Sequence, residues 1–262
     1  MIRLQLAGCS GGIGGAGRQT TCYVLDDSVL IDAGTGLGSL SLKAMARIDH
    51  VVLTHAHLDH IACLPLLVDS VAATRSEPLQ TWALPEVIDT LRAHIFNDRI
   101  WPDFTVIPDA EHPFLQLSPL PSEGLAIAGM HFTPLPAQHG IPACGYLVEK
   151  NRTAIAFSGD TSDCPAFWQA VASMPNLAAV IVECSYPSSM ATMAELSQHM
   201  HAGALAARLR ALPESVAAVV IHRKPGFENE IAAELRSTLT GRDVRLPQPG
   251  EVMNFGGSVA HQ

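Results

Sequence analysis

A chain of 262 residues, 48 % apolar and 16 % charged, can bury a sizeable core, which excludes wholesale disorder. A formal net charge of −9 removes the broad basic face that gripping a long phosphate backbone demands, so long nucleic acid is not an expected partner. Six scattered cysteines without a Cys-x-x-Cys pair fit buried thiols in a reducing cytoplasm better than a disulfide framework or a zinc ribbon.

The chain opens on an alternating stretch, 2–6, that predicts a strand and does not look like a signal peptide. No apolar run is long enough to cross a membrane. Gly12, Gly14 and Gly17 satisfy Gly-x-Gly-x-x-Gly only in letter. A dinucleotide fingerprint opens a helix, whereas the β-branched and apolar stretch 20–25 predicts another strand. The glycines then serve a tight turn or a close backbone approach near a ligand site. Asp26-Asp27 turns the chain into a strand at 28–31, making a hairpin. Asp32 ends that strand, either bracing a metal-binding histidine or forming an Asx turn.

Val51-Val52-Leu53 reads as a strand buried on both faces, and it runs straight into Thr54-His55-Ala56-His57-Leu58-Asp59-His60. Imidazole and carboxylate together suit zinc, iron or manganese. Alternate residues of an extended loop point the same way, so His55 and His57 can share one ion while Asp59 and His60 serve a second.

A helix is expected to open near Asp59 and run to residue 70, with Pro65 kinking it or delaying its start by a turn. A short strand at 81–84 and a helix at 85–96 follow, the helix carrying Val87, Ile88, Leu91 and Ile95 on one face. His94, Asn97, Trp101, Pro102 and Asp103 lie at and beyond its end, as a pocket rim or as packing. The proline-rich stretch 108–121 reads as a surface connection. Stretches 125–127 and 130–135 pair as strands, with His131 inside one as a half-buried residue and His139 in the loop beyond as a third ligand candidate. A hairpin at 145–149 and 153–160 ends on Asp160, and 178–183 is another buried strand. A helix at 195–212 is expected to turn Leu196, Met200, Leu205 and Leu209 inward, with His199 and His201 near its start. The last buried strand, 216–221, delivers His222, and a helix at 228–239 closes the pattern.

Asp32, His55, His57, Asp59, His60, His139, Asp160 and His222 share one feature: each follows an apolar strand. Ligands of open α/β sheets gather outside strand ends. All but Asp32 suffice for two metals, with Asp160 placed to bridge. Ions about 3.5–4 Å apart lower the pKa of a shared water toward about 7 and neutralise charge on substrate oxygens. No Gly-x-Ser-x-Gly elbow competes with this chemistry. Each half also runs through hairpin strands, a strand ending in polar ligands and a helix, which suggests two packed halves in one domain spanning 1–262, with helices outside each sheet.

The run Thr54 through His60 resembles the signature of the metallo-β-lactamase fold. That resemblance implies an α/β fold, a four-layer αββα sandwich of two mixed sheets with outer helices. It also implies two divalent ions, zinc first, with manganese or iron as alternatives. His55, His57 and His139 would hold one ion, Asp59, His60 and His222 the other, and Asp160 both. A closer resemblance is to the class II cyclic-nucleotide phosphodiesterases. It rests on His55-Ala56-His57-Leu58-Asp59-His60-Ile61, on Leu91-Arg92-Ala93-His94-Ile95-Phe96-Asn97 with Ile100-Trp101-Pro102-Asp103-Phe104, on Glu183-Cys184-Ser185-Tyr186-Pro187 and on His222-Arg223-Lys224-Pro225. Two positions depart from that family: Cys63 replaces its Gly or Ser, and Gln198-His199-Met200-His201-Ala202 replaces its Gly-His-Leu-Thr-Pro.

The resemblance implies hydrolysis of 3′,5′-cyclic nucleotides, cAMP, cGMP or both, to 5′-nucleotides by a metal-bridging hydroxide. His199 would protonate the leaving oxygen or hold the phosphate, and Asp59 would hold a proton of the attacking water. His94, Asn97, Trp101 and Lys224 would contact substrate, Trp101 by stacking on the base. The expected partner is this small molecule, in the cytoplasm, with a homodimer allowed and no membrane contact. A ribonuclease Z-like tRNA-processing enzyme is the runner-up. A thioester, lactone or β-lactam hydrolase and a non-catalytic metal sensor follow.

Overall fold

In the computed structural model, residues 1–15 and 17–256 are described. The first six strands are β1 (Ile2–Gly8), β2 (Cys22–Leu25), β3 (Val29–Ile31), β4 (His50–Val52), β5 (Leu79–Ala83) and β6 (Leu115–Pro119). They line up in chain order in one sheet. The next seven build a second sheet, also in chain order: β7 (Leu125–Ile127), β8 (Met130–Pro136), β9 (Cys144–Lys150), β10 (Thr153–Phe157), β11 (Leu177–Glu183), β12 (Ala217–Ile221) and β13 (Val244–Arg245). Strand β14 (Val252–Phe255) returns to the first sheet and pairs antiparallel with β1. Both sheets are mixed: β3 to β6 and β10 to β13 run parallel, the remaining pairs antiparallel.

The helices are α1 (Leu42–Met45), α2 (Leu58–Ile61), α3 (Leu64–Val71), α4 (Pro85–His94), α5 (Pro165–Ala172), α6 (Ala191–Leu196), α7 (Ala202–Arg210) and α8 (Glu228–Thr238). Three apolar layers define how these parts stack. Leu4, Leu6, Tyr23, Ile31, Phe132, Tyr146, Phe157 and Val219 interdigitate between the sheets. Leu64, Leu67 and Val68 of α3 and Val87 and Leu91 of α4 pack on the outer face of the first sheet. Phe167, Leu205, Leu209 and Leu235 do the same for the second. Three such layers require four layers of secondary structure, the expected αββα sandwich of the metallo-β-lactamase fold. No helix among the described residues is long and apolar enough to cross a membrane.

Phe132 is fully buried between the sheets, its ring 6.4 Å from that of Tyr146. Phe132→Ala should therefore cost roughly 3–5 kcal/mol, read as a lowered denaturant midpoint with the slope unchanged. A loss below about 1 kcal/mol would mean that the inter-sheet layer is not the stabilising core.

Local chemistry explains most boundaries. Asp26 and Asp27 take φ of 45° and 63°, the paired positive values that close a tight hairpin between β2 and β3. Pro65 lies in the first turn of α3, where its missing N–H costs nothing, so the helix expected near Asp59 divides into α2 and α3. Between Gly8 and Cys22 no helix forms among the described residues, and the dinucleotide motif is a decoy. A Cβ on Gly11 would lie 2.5 Å from the carbonyl oxygen of His222, so this glycine does serve a close approach of backbone.

Three expectations need correction. The connection over 108–121 contains β6, an edge strand whose Leu115 and Leu117 are buried. The helix over 195–212 is broken at 197–201, and Leu196, expected inward, is 77 % exposed. The break lets Met200 reach the core while His199 turns the other way, and a continuous helix could not orient both. His131 is exposed on β8 rather than half-buried.

Candidate metal centre

Strands of both sheets deliver polar residues to one edge of the sandwich. β3 leads to Asp32, β4 to the His55–His60 loop, β8 to His139, β10 to Asp160, β11 to Glu183 and β12 to His222. The sheets are tied together at that edge. The Cys144 N–H donates to the Thr54 carbonyl at 3.0 Å, the Tyr146 hydroxyl to the Leu53 carbonyl at 2.6 Å, and the His222 N–H to the Cys9 carbonyl at 2.7 Å.

Four ligand groups result among the described residues; two hold the seven expected ligands, and two more bring in His199 and Glu183. In the first, His55 Nε2 and His139 Nε2 lie 3.1 and 3.0 Å from His57 Nδ1. In the second, Asp160 Oδ2 lies 3.3 Å from His60 Nε2 and 3.2 Å from His222 Nε2, with Asp59 Oδ2 3.3 Å from the same His222 nitrogen. Asp160 Oδ2 is also 3.8 Å from His55 Nε2, so it stands between the groups. All seven expected ligands converge.

The outer partners fix which ring nitrogen faces inward. Thr54 donates its hydroxyl to Asp32 Oδ2 at 2.8 Å, so His55 Nδ1–H must donate to that hydroxyl oxygen, 3.0 Å away. His60 Nδ1–H donates to Asp32 Oδ2 at 2.7 Å, and His139 Nδ1–H to the Gln198 carbonyl at 3.1 Å. The Ser185 hydroxyl donates to Glu183 Oε2 at 2.9 Å and accepts from His222 Nδ1–H at 3.1 Å. Four imidazoles thus aim an Nε2 lone pair at one space, the arrangement in which outer hydrogen bonds set the tautomer of a ligating histidine. Lone pairs 3 Å apart repel unless a cation or a proton stands between them. His60 Nε2 is buried with no hydrogen-bond partner. The donors fit a divalent ion of the zinc, iron or manganese kind.

The electrostatics divide the histidines: burial opposes the charged ring of His60, but Asp160 and Asp32 outweigh it and hold its pKa well above the ordinary value, so a metal would have to displace that proton. Burial pushes the pKa of His55, His57 and His139 down, toward the neutral form a metal needs. Burial opposes ionisation of Asp160, yet the charges of His222 and His60 outweigh it and hold the carboxyl well below its ordinary value. Asp59 is lowered against burial in the same way, by its hydrogen bond to His222 and by His60.

Asp32 is fully buried and anchors both Thr54 and His60. Its φ of 59°, with 54° at Gln198 and 55° at His222, places three non-glycine residues of this site in the left-handed region. Such conformations cost of order 1 kcal/mol or more each and persist where surrounding hydrogen bonds enforce them. Asp32→Asn should weaken metal affinity about 10- to 100-fold by competition titration. Unchanged affinity would reduce Asp32 to a turn residue.

A model described as "Beta-lactamase superfamily domain" matches residues 27–222. The chain belongs to that superfamily. A curated relative is the 3′,5′-cyclic-nucleotide phosphodiesterase 1 of Saccharomyces cerevisiae, 30 % identical over 160 residues, 52 % of this chain and 43 % of the relative. The chain spans about half the length of the curated relatives it matches. Among solved structures, a metallo-beta-lactamase fold protein of Bacillus subtilis superposes with a TM-score of 0.80 at 16 % identity, over 97 % of this chain and 100 % of that one. Yeast PDE1 superposes at 0.76 and 22 %, over 93 % and 96 %. The short form of human tRNase Z gives 0.68 and 17 %, over 97 % and 99 %. At these identities the structures establish the fold.

On this superfamily scaffold, His199 sits at the edge of the ligand groups. Its ring stacks on that of His222 at 5.2 Å, and its Nδ1–H donates to Glu183 Oε1 at 2.8 Å. Burial favours the neutral ring, but the charge and hydrogen bond of Glu183 outweigh it and raise the pKa, with Lys224 close enough to oppose them. The Lys224 N–H donates to the Ser185 carbonyl at 3.2 Å, which ties its backbone to the residue that supports His222. His94, Asn97 and Trp101 are not drawn into the hydrogen-bonded network. The Asn97 side chain closes its own loop, accepting from the N–H groups of Arg99 and Ile100. Trp101 packs on the core outside the first sheet, its indole nitrogen buried and unpartnered.

Sequence reasoning gave no role to Glu183, Ser185 or Thr54. Glu183 is fully buried and also accepts from the N–H groups of Thr161 and Met200. The available signal was positional: Glu183 ends an apolar strand, as Asp32 does, and Asp160 lies just past another.

Proposed function

We propose that the chain is a metal-dependent phosphodiesterase that opens 3′,5′-cyclic nucleotides to 5′-nucleotides, with two divalent ions, zinc foremost. The observation that carries this reading is His199, held by a buried carboxylate and facing the seven-ligand cluster from one side. Ions held by His55, His57 and His139 and by Asp59, His60 and His222, with Asp160 between them, would neutralise phosphate charge and lower the pKa of water toward about 7.

The chain's own groups supply the rest. Asp59 holds a proton of the attacking water. The water oxygen bonds to phosphorus, the P–O3′ bond breaks, and His199 Nε2 delivers a proton to the departing O3′. Glu183 keeps the other ring nitrogen protonated and stabilises the charged ring. Lys224, its backbone bonded to Ser185, would add positive charge for an anionic substrate. The phosphodiesterase relative supports the substrate class.

A ribonuclease Z-like activity is the competing reading, supported by the likeness to human tRNase Z and opposed by the excess of 25 Asp and Glu over 16 Lys and Arg. The test is turnover of metal-analysed protein on cAMP, cGMP, 2′,3′-cyclic nucleotides and a tRNA precursor, side by side. Faster hydrolysis of a 3′,5′-cyclic nucleotide, with a 5′-nucleotide as product, is the expected result. Faster cutting of the precursor would replace this reading with the ribonuclease.

A further inference from the structure

Tyr186, just past β11 of the second sheet, brings an aromatic ring to His199. Past Glu183 the chain runs through Ser185 to Tyr186, and neighbours on both sides lock its backbone. The N–H groups of Ser185 and Tyr186 donate to the Met200 carbonyl at 3.0 and 3.3 Å. The Ala202 N–H donates to the Tyr186 carbonyl at 2.9 Å, and the Lys224 N–H to the Ser185 carbonyl at 3.2 Å. The Tyr186 ring is thereby fixed with its centroid 6.4 Å from that of His199 and 5.8 Å from that of Phe227.

Phe227 is anchored in turn, packed against the core outside the second sheet. Tyr186 and Phe227 are both half-buried, so the pair keeps surface to offer. Two rings thus follow one another from His199, Tyr186 and then Phe227, with the Lys224 backbone bonded to Ser185 next to Tyr186. The leaving O3′ carries the ribose and its base, so the base emerges on the side of the group that protonates O3′. Trp101 is half-buried too, but it packs on the core outside the first sheet, in a loop that Asn97 closes on itself.

We infer that Tyr186, backed by Phe227, is the surface on which the base of a nucleotide stacks, making it a specificity-determining residue. This rests on the phosphodiesterase reading for the direction in which the base leaves. Its test measures binding, and so does not depend on turnover. Isothermal titration of metal-loaded protein with 5′-AMP and with ribose 5-phosphate separates the base from the phosphate. Tyr186→Ala should weaken 5′-AMP about 10- to 100-fold, the worth of one aromatic stack, and leave ribose 5-phosphate within about twofold. Tyr186→Phe should keep 5′-AMP affinity within about threefold, because the ring remains.

Unchanged ribose 5-phosphate binding also reports a folded site. Equal losses for both ligands in Tyr186→Ala would overturn the inference, as would loss of the 5′-AMP preference in Trp101→Ala instead. Wild-type protein binding 5′-AMP no more tightly than ribose 5-phosphate would overturn it too. A Tyr186-dependent 5′-AMP preference in a protein inert toward cyclic nucleotides would sustain the base wall and sink only the phosphodiesterase reading.

Discussion

Asp160→Ala should strip the metal pair and abolish phosphodiester turnover while the sandwich stays folded. The carboxylate is buried at 2 % exposure and approaches His55, His60 and His222 within 3.8 Å. Without it, the inward lone pairs of three imidazoles lose the anion that offsets the charge of two cations. The affinity loss should exceed the roughly 10- to 100-fold typical of a residue that only supports a ligand. Plasma emission on gel-filtered protein reads the result. Two ions retained per chain would show that Asp160 is a turn residue after all. The metal-free variant should melt below metal-free wild type yet still unfold in one cooperative transition, because His60 and His222 lose a buried carboxylate partner while the apolar layer between the sheets is untouched.

His199→Ala carries the second large effect. A positioned proton donor is worth about 10²–10⁴ in rate, so kcat should fall by that factor with metal content unchanged. Glu183→Gln should fall between wild type and His199→Ala. The amide oxygen can still accept from His199 Nδ1–H, but it no longer stabilises a charged ring. Single-turnover kinetics on cAMP, paired with metal analysis, separate the outcomes. Loss of metal in His199→Ala would make His199 a ligand rather than a proton donor, an assignment open to it because it also lies within ligand distance of Asp160 and His139.

The convergence of the candidate ligands was legible in the sequence because these residues share a local rule. Asp32, the His55–His60 loop, Asp160 and His222 each follow an apolar strand, and apolar strand followed by polar ligand is visible without coordinates. The two-sheet architecture was legible for a similar reason: hairpin strands such as 20–25 and 28–31 alternate with buried parallel strands. What the sequence concealed depends on long-range neighbours. Glu183 became important only when the break at 197–201 brought His199 to within 2.8 Å, and nothing in either segment alone announces that contact. The break itself is masked by helix-forming residues on both sides, which is why a continuous helix with Leu196 inward was expected. β6 was hidden by the prolines around it, and an edge strand tolerates them. Trp101 drew attention as a large aromatic beside polar residues, yet a tryptophan has more apolar surface to bury than most, and packing took it.

The most direct measurement is anomalous diffraction from a crystal of the zinc-loaded protein. Two peaks per chain should appear, one among His55, His57 and His139 and one among Asp59, His60 and His222, with Asp160 between them. A single peak, or peaks away from these residues, would contradict the paired-metal site on which the rest is built.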